Sequence, residues 1–257
     1  MAIYPELKGR IAVVTGSAQG IGASTVREFV QQGTHVALLD IDAAGAQKVA
    51  DEFKGKDARV MVVRTDVTDD TSVTDALAKV AGEFGGIDIV VNSAGGYGKL
   101  TGVEELPVDD WDKTVMLNLR GTFLMCKRAI PYLKKSKAGR IINVSSISGR
   151  TLFGSTSPAY AASKAGVIQL TRFLAIELGP SGITSNSIAP ITTLTPGNGS
   201  ATRSAQSAKM IVPEGCETSR TRTVVASLQV VASSAYAIPT PKAGVFPAFL
   251  NSYPGHW

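Results

Sequence analysis

The chain has 257 residues, 44% of them hydrophobic, with 26 Lys and Arg against 21 Asp and Glu. That length and apolar content suit a single α/β domain with a sizeable core, and the interleaving of basic and acidic residues without a basic run speaks against a nucleic-acid or membrane partner. Two cysteines, Cys126 and Cys216, offer neither a disulfide scaffold nor metal-ligand spacing, the N-terminus has no apolar leader, and no stretch reaches the roughly 18 unbroken apolar residues of a membrane span, so a soluble, cytoplasmic protein with no metal is expected.

From residue 11 onward, short β-branched runs alternate with longer segments of helical spacing. The runs are IAVVT (11–15), HVALLD (35–40), RVMVV (59–63), IDIVV (87–91), RIINVS (140–145) and ITSNSIA (183–189). Between them, helices are predicted over 20–32, 43–54, 69–84, 109–135 and 158–178. This alternation is the pattern of βαβ units on a parallel sheet, and the scarcity of polar positions in most of the strands fits a sheet covered by helices on both faces.

The first strand runs into TGSAQGIG, with Gly16, Gly20 and Gly22 where a tight turn opens a helix. Glycine there accepts positive φ and lets backbone N–H groups approach a pyrophosphate at the positive end of the helix. A strand before it and a helix after it make dinucleotide binding the preferred reading over a merely structural turn. The second strand ends in Asp40, 24 residues beyond Gly16, where an acid meets the adenosine ribose hydroxyls and repels a 2′-phosphate. Neither Ser17 nor Ile41 supplies a compensating cation, so NAD is preferred over NADP. The competing role for Asp40 is a cap for the next helix. Asp66 closes the third strand and is placed either for the adenine edge or as a helix cap, and NSAG (92–95) ends the fourth with small residues that leave room for a cofactor.

Further along, the chain carries the asparagine of MLNLRGTF (116–123), the serine pair of INVSSISG (142–149), YAASK (160–164) and NSIAP (186–190), with Thr195 beyond. Together and in this order, these motifs resemble the short-chain dehydrogenase/reductase family, the subgroup of about 250 residues, over roughly residues 7–195. The resemblance implies a single-domain, doubly wound Rossmann fold with six to seven parallel strands and the cofactor along their carboxyl edge. It implies Tyr160 as acid/base, Lys164 as its partner, Ser146 as ligand of the substrate oxygen and Asn118 as a helix residue positioning a water relay. The family uses the second serine of the pair, three residues before the glycine that is Gly149 here; the 14 residues from Ser146 to Tyr160 are one more than expected, which an insertion in RTLFGSTSPA would absorb. The implied cofactor contacts are Gly16, Ser17, Gln19, Gly20, Ile21, Gly22, Asp40, Asp66, Val67, Asn92, Ala94, Gly95, Tyr160, Lys164, Pro190 and Thr195. Where the family has glycine after the proline, this chain has Ile191.

The chemistry explains why Tyr160 and Lys164 stand one helical turn apart. Moving hydride between a secondary alcohol and a nicotinamide requires the alcohol proton to move as well, so a proton carrier must stand beside the oxygen. A lysine ammonium beside a tyrosine favours its phenolate, and lowering the phenol by about three units takes on the order of 4 kcal/mol. Lys164 could also bond the nicotinamide ribose. The expected function is therefore NAD-dependent interconversion of a secondary alcohol and a ketone. The alternatives are a sugar-nucleotide epimerase, for which the chain has little room, and a catalytically impaired dinucleotide-binding regulator or scaffold. That last alternative rests on residues 196–257, where acids nearly vanish and prolines at 239, 241 and 247 oppose a central strand. That segment reads either as a divergent lid with a short edge strand or as a tail in a shifted frame. Apolar faces on 109–135 and 158–178 predict a homo-oligomer, a dimer or a tetramer.

Overall fold

A computed structural model describes residues 3–151 and 156–190. Thr195, Ile191 and the expectations for 196–257 lie outside the described residues. Six parallel strands form one sheet in the order β3-β2-β1-β4-β5-β6: β1 Ile11–Thr15, β2 His35–Asp40, β3 Val60–Arg64, β4 Ile89–Asn92, β5 Arg140–Val144 and β6 Thr184–Ile188. The chain winds outward from β1 to β3, then crosses back to lay β4 on the other side of β1. The register sets Val13 against Ala37 on one side and Val90 on the other.

Side chains of successive strand residues point to opposite faces, so each strand feeds two cores. On one face Ala12, Val14, Val36, Leu38 and Ile89 meet α1 (Gly20–Gln31) and α2 (Ala43–Asp51) through Phe29, Val26 and Val49. On the other, Val13, Ala37, Leu39, Val90 and Ile141 meet α3 (Asp70–Phe84), α5 (Gly121–Leu133) and α6 (Pro158–Leu178) through Leu77, Met125, Leu133 and Leu174. This is the doubly wound parallel sheet expected from the pattern of apolar runs. No helix among the described residues is long and apolar enough to cross a membrane.

The long helix predicted over 109–135 is not continuous. It divides into α4 (Val108–Val115), a π-helical turn at Met116–Arg120, and α5. Across the turn the Gly121 N–H reaches back five residues to the Met116 carbonyl. The side chain of Asn118 donates to the Thr114 carbonyl at 2.9 Å, so an amide from within the turn supplies a donor where the ladder is disturbed. Periodicity over 27 residues cannot reveal one extra residue in a turn, because apolar positions on either side stay in register with their own helix.

Leu38 is fully buried in the α1–α2 core. Leu38→Ala is expected to destabilise the fold by about 2–5 kcal/mol, lost transfer energy plus the cavity left behind. Urea unfolding followed by circular dichroism measures this, and a loss below about 1 kcal/mol would contradict the packing described.

Candidate active site

The point where the strand order reverses, between β1 and β4, opens a crevice at the carboxyl edge of the sheet. It has a volume of about 520 Å³ and runs from Asp40 and Ile41, past Gly16, Gln19, Ile21 and Gly22, to Ser146, Tyr160, Lys164 and Pro190.

The turn after β1 is built for close approach. Gly16 has φ +64°, and a Cβ on Gly22 would stand 2.0 Å from the Gly16 carbonyl oxygen, so only glycine lets α1 start this near the strand. Gln19, the residue that caps α1, makes no side-chain bond to the first turn, which leaves that turn's N–H groups for another acceptor. Ser17 is fully buried, yet its hydroxyl finds no partner within the described residues. Unspent donors at a helix start, a glycine cradle and a buried orphan hydroxyl fit a pyrophosphate. Thr15 locks the turn to the next loop, its hydroxyl accepting from the N–H groups of Ser93 (3.0 Å) and Ala94 (3.1 Å).

Asp40 is not the cap of α2; that is Asp42, whose carboxylate accepts from Gly45 N–H at 2.9 Å. Asp40 instead accepts from Ala18 N–H (2.8 Å) and Asp42 N–H (2.9 Å), which ties the glycine turn to the end of β2 and sets a carboxylate in the crevice wall. Asp66 likewise leaves the capping of α3 to Asp69. It accepts from the N–H and hydroxyl of Thr68, bonds that hold its carboxyl below the usual range, and it lines the crevice beside Val67. Ala94 and Gly95 form the wall after β4.

Asn92, expected among the cofactor contacts, is the last residue of β4. Its side chain does not line the crevice but turns into the sheet, donating to Asn143 Oδ1 (2.8 Å) and Cys126 Sγ (3.3 Å), while Asn143 donates to Thr171 Oγ1 (2.9 Å). Cys126 is core; burial pushes its thiol up to about 12.

At the other end, α6 carries Tyr160 and Lys164 on one face, 8% and 4% exposed. The Lys164 ammonium donates to the Val144 carbonyl at 2.8 Å and stands 5.7 Å from the centre of the Tyr160 ring. The two serines after β5 have different work. Ser145 donates to the Lys164 carbonyl at 2.8 Å, pinning α6 to the strand end, whereas Ser146 accepts from Ser148 N–H and lines the crevice with Tyr160, whose phenol it lowers. Asn118 is fully buried; its amide donates to the Gly96 carbonyl (2.8 Å) and accepts from Gly96 N–H (3.2 Å). A Cβ on Gly95 would fall 2.6 Å from Asn118 Oδ1 and 3.3 Å from Lys164 Nζ, so the two side chains converge on one point of the backbone.

The electrostatics differ from the sequence-based expectation. Burial lowers the Lys164 ammonium to about 8, and burial is its only cause. Burial also raises the Tyr160 phenol above its ordinary value near 10; the Ser146 hydrogen bond lowers it, and Tyr97 raises it further. With its phenol raised, Tyr160 is a neutral proton donor at neutral pH. Tyr97 is the site residue that the sequence left without a role. It lines the crevice and its ring lies 4.9 Å from that of Tyr160; the signal was an aromatic residue set between glycines just after the fourth strand.

The family model described as short chain dehydrogenase matches residues 10–206. D-threitol dehydrogenase of Mycolicibacterium smegmatis is 40% identical over 190 residues, 74% of this chain and 72% of the relative. Among solved structures, NAD+-bound xylitol dehydrogenase matches with a TM-score of 0.69 at 30% identity, covering 72% of this chain and 71% of that one. A short chain dehydrogenase from Burkholderia cenocepacia in complex with NADP matches with a TM-score of 0.70 at 34% identity, over 74% and 77%. The glycine turn, the reversal of strand order and the Ser146–Tyr160–Lys164 cluster agree with these relationships: the chain belongs to the short chain dehydrogenase family and is an oxidoreductase.

Proposed function

We propose that this oxidoreductase interconverts a secondary alcohol and a ketone with NAD, using Tyr160 as the proton carrier. The observation that carries this reading is the convergence of Ser146, Tyr160 and Lys164 at the end of a crevice whose other end holds a glycine turn and Asp40. The dinucleotide, when bound, supplies or accepts the hydride and in its oxidised form brings a positively charged ring. The chain's own residues handle the proton. In reduction, the Tyr160 O–H donates to the carbonyl oxygen as that oxygen gains charge, and Ser146 stabilises it with a hydrogen bond. In oxidation the phenolate takes the hydroxyl proton. Lys164 would bond the ribose of the bound dinucleotide, and Asn118 holds the Gly96 backbone nearby.

The raised phenol makes the direction of pH dependence specific. Reduction needs protonated Tyr160 and falls as pH rises through its pKa; oxidation needs the phenolate and rises over the same range. Tyr160→Phe is expected to lower kcat by at least about a thousandfold in both directions while NAD binding, followed by fluorescence quenching, stays within about twofold. Turnover near that of the unaltered chain would remove Tyr160 from the mechanism. An inactive scaffold is disfavoured because Ser146, Tyr160, Lys164 and Asn118 are all present and, among the described residues, brought together.

NAD is preferred because of the Asp40 carboxylate at the adenosine end; the relatives themselves include both an NAD complex and an NADP complex. Asp40→Asn keeps an acceptor for the turn and removes the charge. It is expected to narrow the NAD-over-NADP ratio of kcat/KM on the order of tenfold, equivalent to about 1.4 kcal/mol. A preference for NADP in the unaltered chain would overturn the assignment.

Homo-oligomer formation is supported by Phe123, Phe173 and Ile176, which leave large apolar surfaces exposed on α5 and α6. Phe173→Glu is expected to shift the mass measured by light scattering from a dimer or tetramer toward the monomer; a monomeric unaltered chain would contradict this.

A further inference from the structure

Tyr97 is 53% exposed, too open for its own burial to hold it, yet its ring faces Tyr160 at a centroid distance of 4.9 Å with planes inclined at 42°. That spacing lies inside the range favoured by aromatic pairs, roughly 4.5–7 Å. What fixes Tyr97 is the backbone on either side. Gly96 is bonded in both directions by the Asn118 amide. Gly98 has φ +68°, and a Cβ there would lie 2.4 Å from Thr114 Oγ1, so this residue must be glycine for the loop to rest on α4. Thr114 and Asn118 are one helical turn apart and are bonded to each other through the Thr114 carbonyl. Both anchors of the Tyr97 loop therefore belong to the end of α4 and the π-helical turn that follows it.

We propose that Tyr97 is a positioning residue for Tyr160, its ring packing against the acid/base ring and restricting where the phenol oxygen points. The proposal rests on the reading of Tyr160 as proton carrier. It also gives the π-helical turn a use, since moving Asn118 relative to Thr114 would move both anchors of Tyr97. Among the described residues, the polar and charged groups facing Tyr160 are the Ser146 hydroxyl from the segment after β5, the Lys164 ammonium on α6 and the Tyr97 phenol from the loop after β4. Ser146 favours the phenolate and Tyr97 opposes it, so removing the Tyr97 hydroxyl acts on the same proton.

The test compares Tyr97→Phe, Tyr97→Ala and Tyr160→Phe in the full chain. Tyrosinate absorbance is titrated with and without Tyr160→Phe in each background, so the difference reports Tyr160 without a substrate. Steady-state rates use an alcohol that the unaltered chain oxidises, chosen from a panel of polyols, cyclic alcohols and hydroxy acids. Tyr97→Phe is expected to move the Tyr160 transition to lower pH and, at pH values above the transition, to keep kcat close to that of the unaltered chain. Tyr97→Ala is expected to lower kcat on the order of tenfold with the NAD dissociation constant unchanged. Wild-type kcat and an unmoved Tyr160 transition in Tyr97→Ala would overturn the proposal. So would a rise in KM alone, which would make Tyr97 a substrate contact, or a Phe variant as impaired as the Ala variant. If Tyr160→Phe loses turnover while Tyr97→Ala behaves as wild type, only the role of Tyr97 fails; if Tyr160→Phe keeps turnover, the acid/base reading fails first and this role with it.

Discussion

The buried ammonium of Lys164 is the constraint on which the site depends. Removed from water and met at 2.8 Å by the last carbonyl of β5, it forces α6 to lie close against the strand end. The depression of its pKa to about 8 corresponds to roughly 3 kcal/mol against the charged form, so the surrounding contacts must hold the helix there. The Ser145 bond to the Lys164 carbonyl is one of them. Gly149 is another: a Cβ on it would stand 2.6 Å from the Lys164 carbonyl carbon, so the segment after β5 touches the helix backbone itself. With α6 held this way, Tyr160 in its first turn lines the crevice together with Ser146.

The same burial separates two effects that a sequence argument merges. A lysine one turn from a tyrosine suggests an ammonium that favours the phenolate, but desolvation acts on both groups in the direction of neutrality. Here it dominates: the phenol is raised and the amine lowered. The lysine therefore serves first as a structural tie to β5 and as a donor facing the crevice. A crevice that keeps Tyr160 protonated is suited to giving up a proton; taking one requires added positive charge nearby.

A second support comes from the opposite wall. The glycine turn, Thr15 and Asp40 form one hydrogen-bonded unit at the ends of β1 and β2, and the Asn118 clamp fixes the loop after β4. These walls meet because β4 returns to the far side of β1, which leaves the strand ends diverging at the reversal. Topology and site are thus linked: with β4 beside β3, the glycine turn and Tyr160 would not share a crevice.

The six β-branched runs and the helical spacing between them determined the parallel sheet with helices on both faces, because burial on both sides leaves a continuous apolar pattern that local sequence displays. Glycines that must tolerate positive φ or a vanishing clearance were legible for the same local reason, as was the one-turn spacing of Tyr160 and Lys164. Which of two adjacent serines is tied to the Lys164 carbonyl and which is left to the crevice, which of several aspartates caps a helix, and that Asn92 turns into the sheet were decided by tertiary packing: each is a choice among neighbouring residues, made by the distance to another strand or helix. The π-helical turn belongs to that second class, as does the pairing of Tyr97 with Tyr160: the two tyrosines lie 63 positions apart in the chain and meet while Asn118 and Thr114 hold the loop that carries one of them.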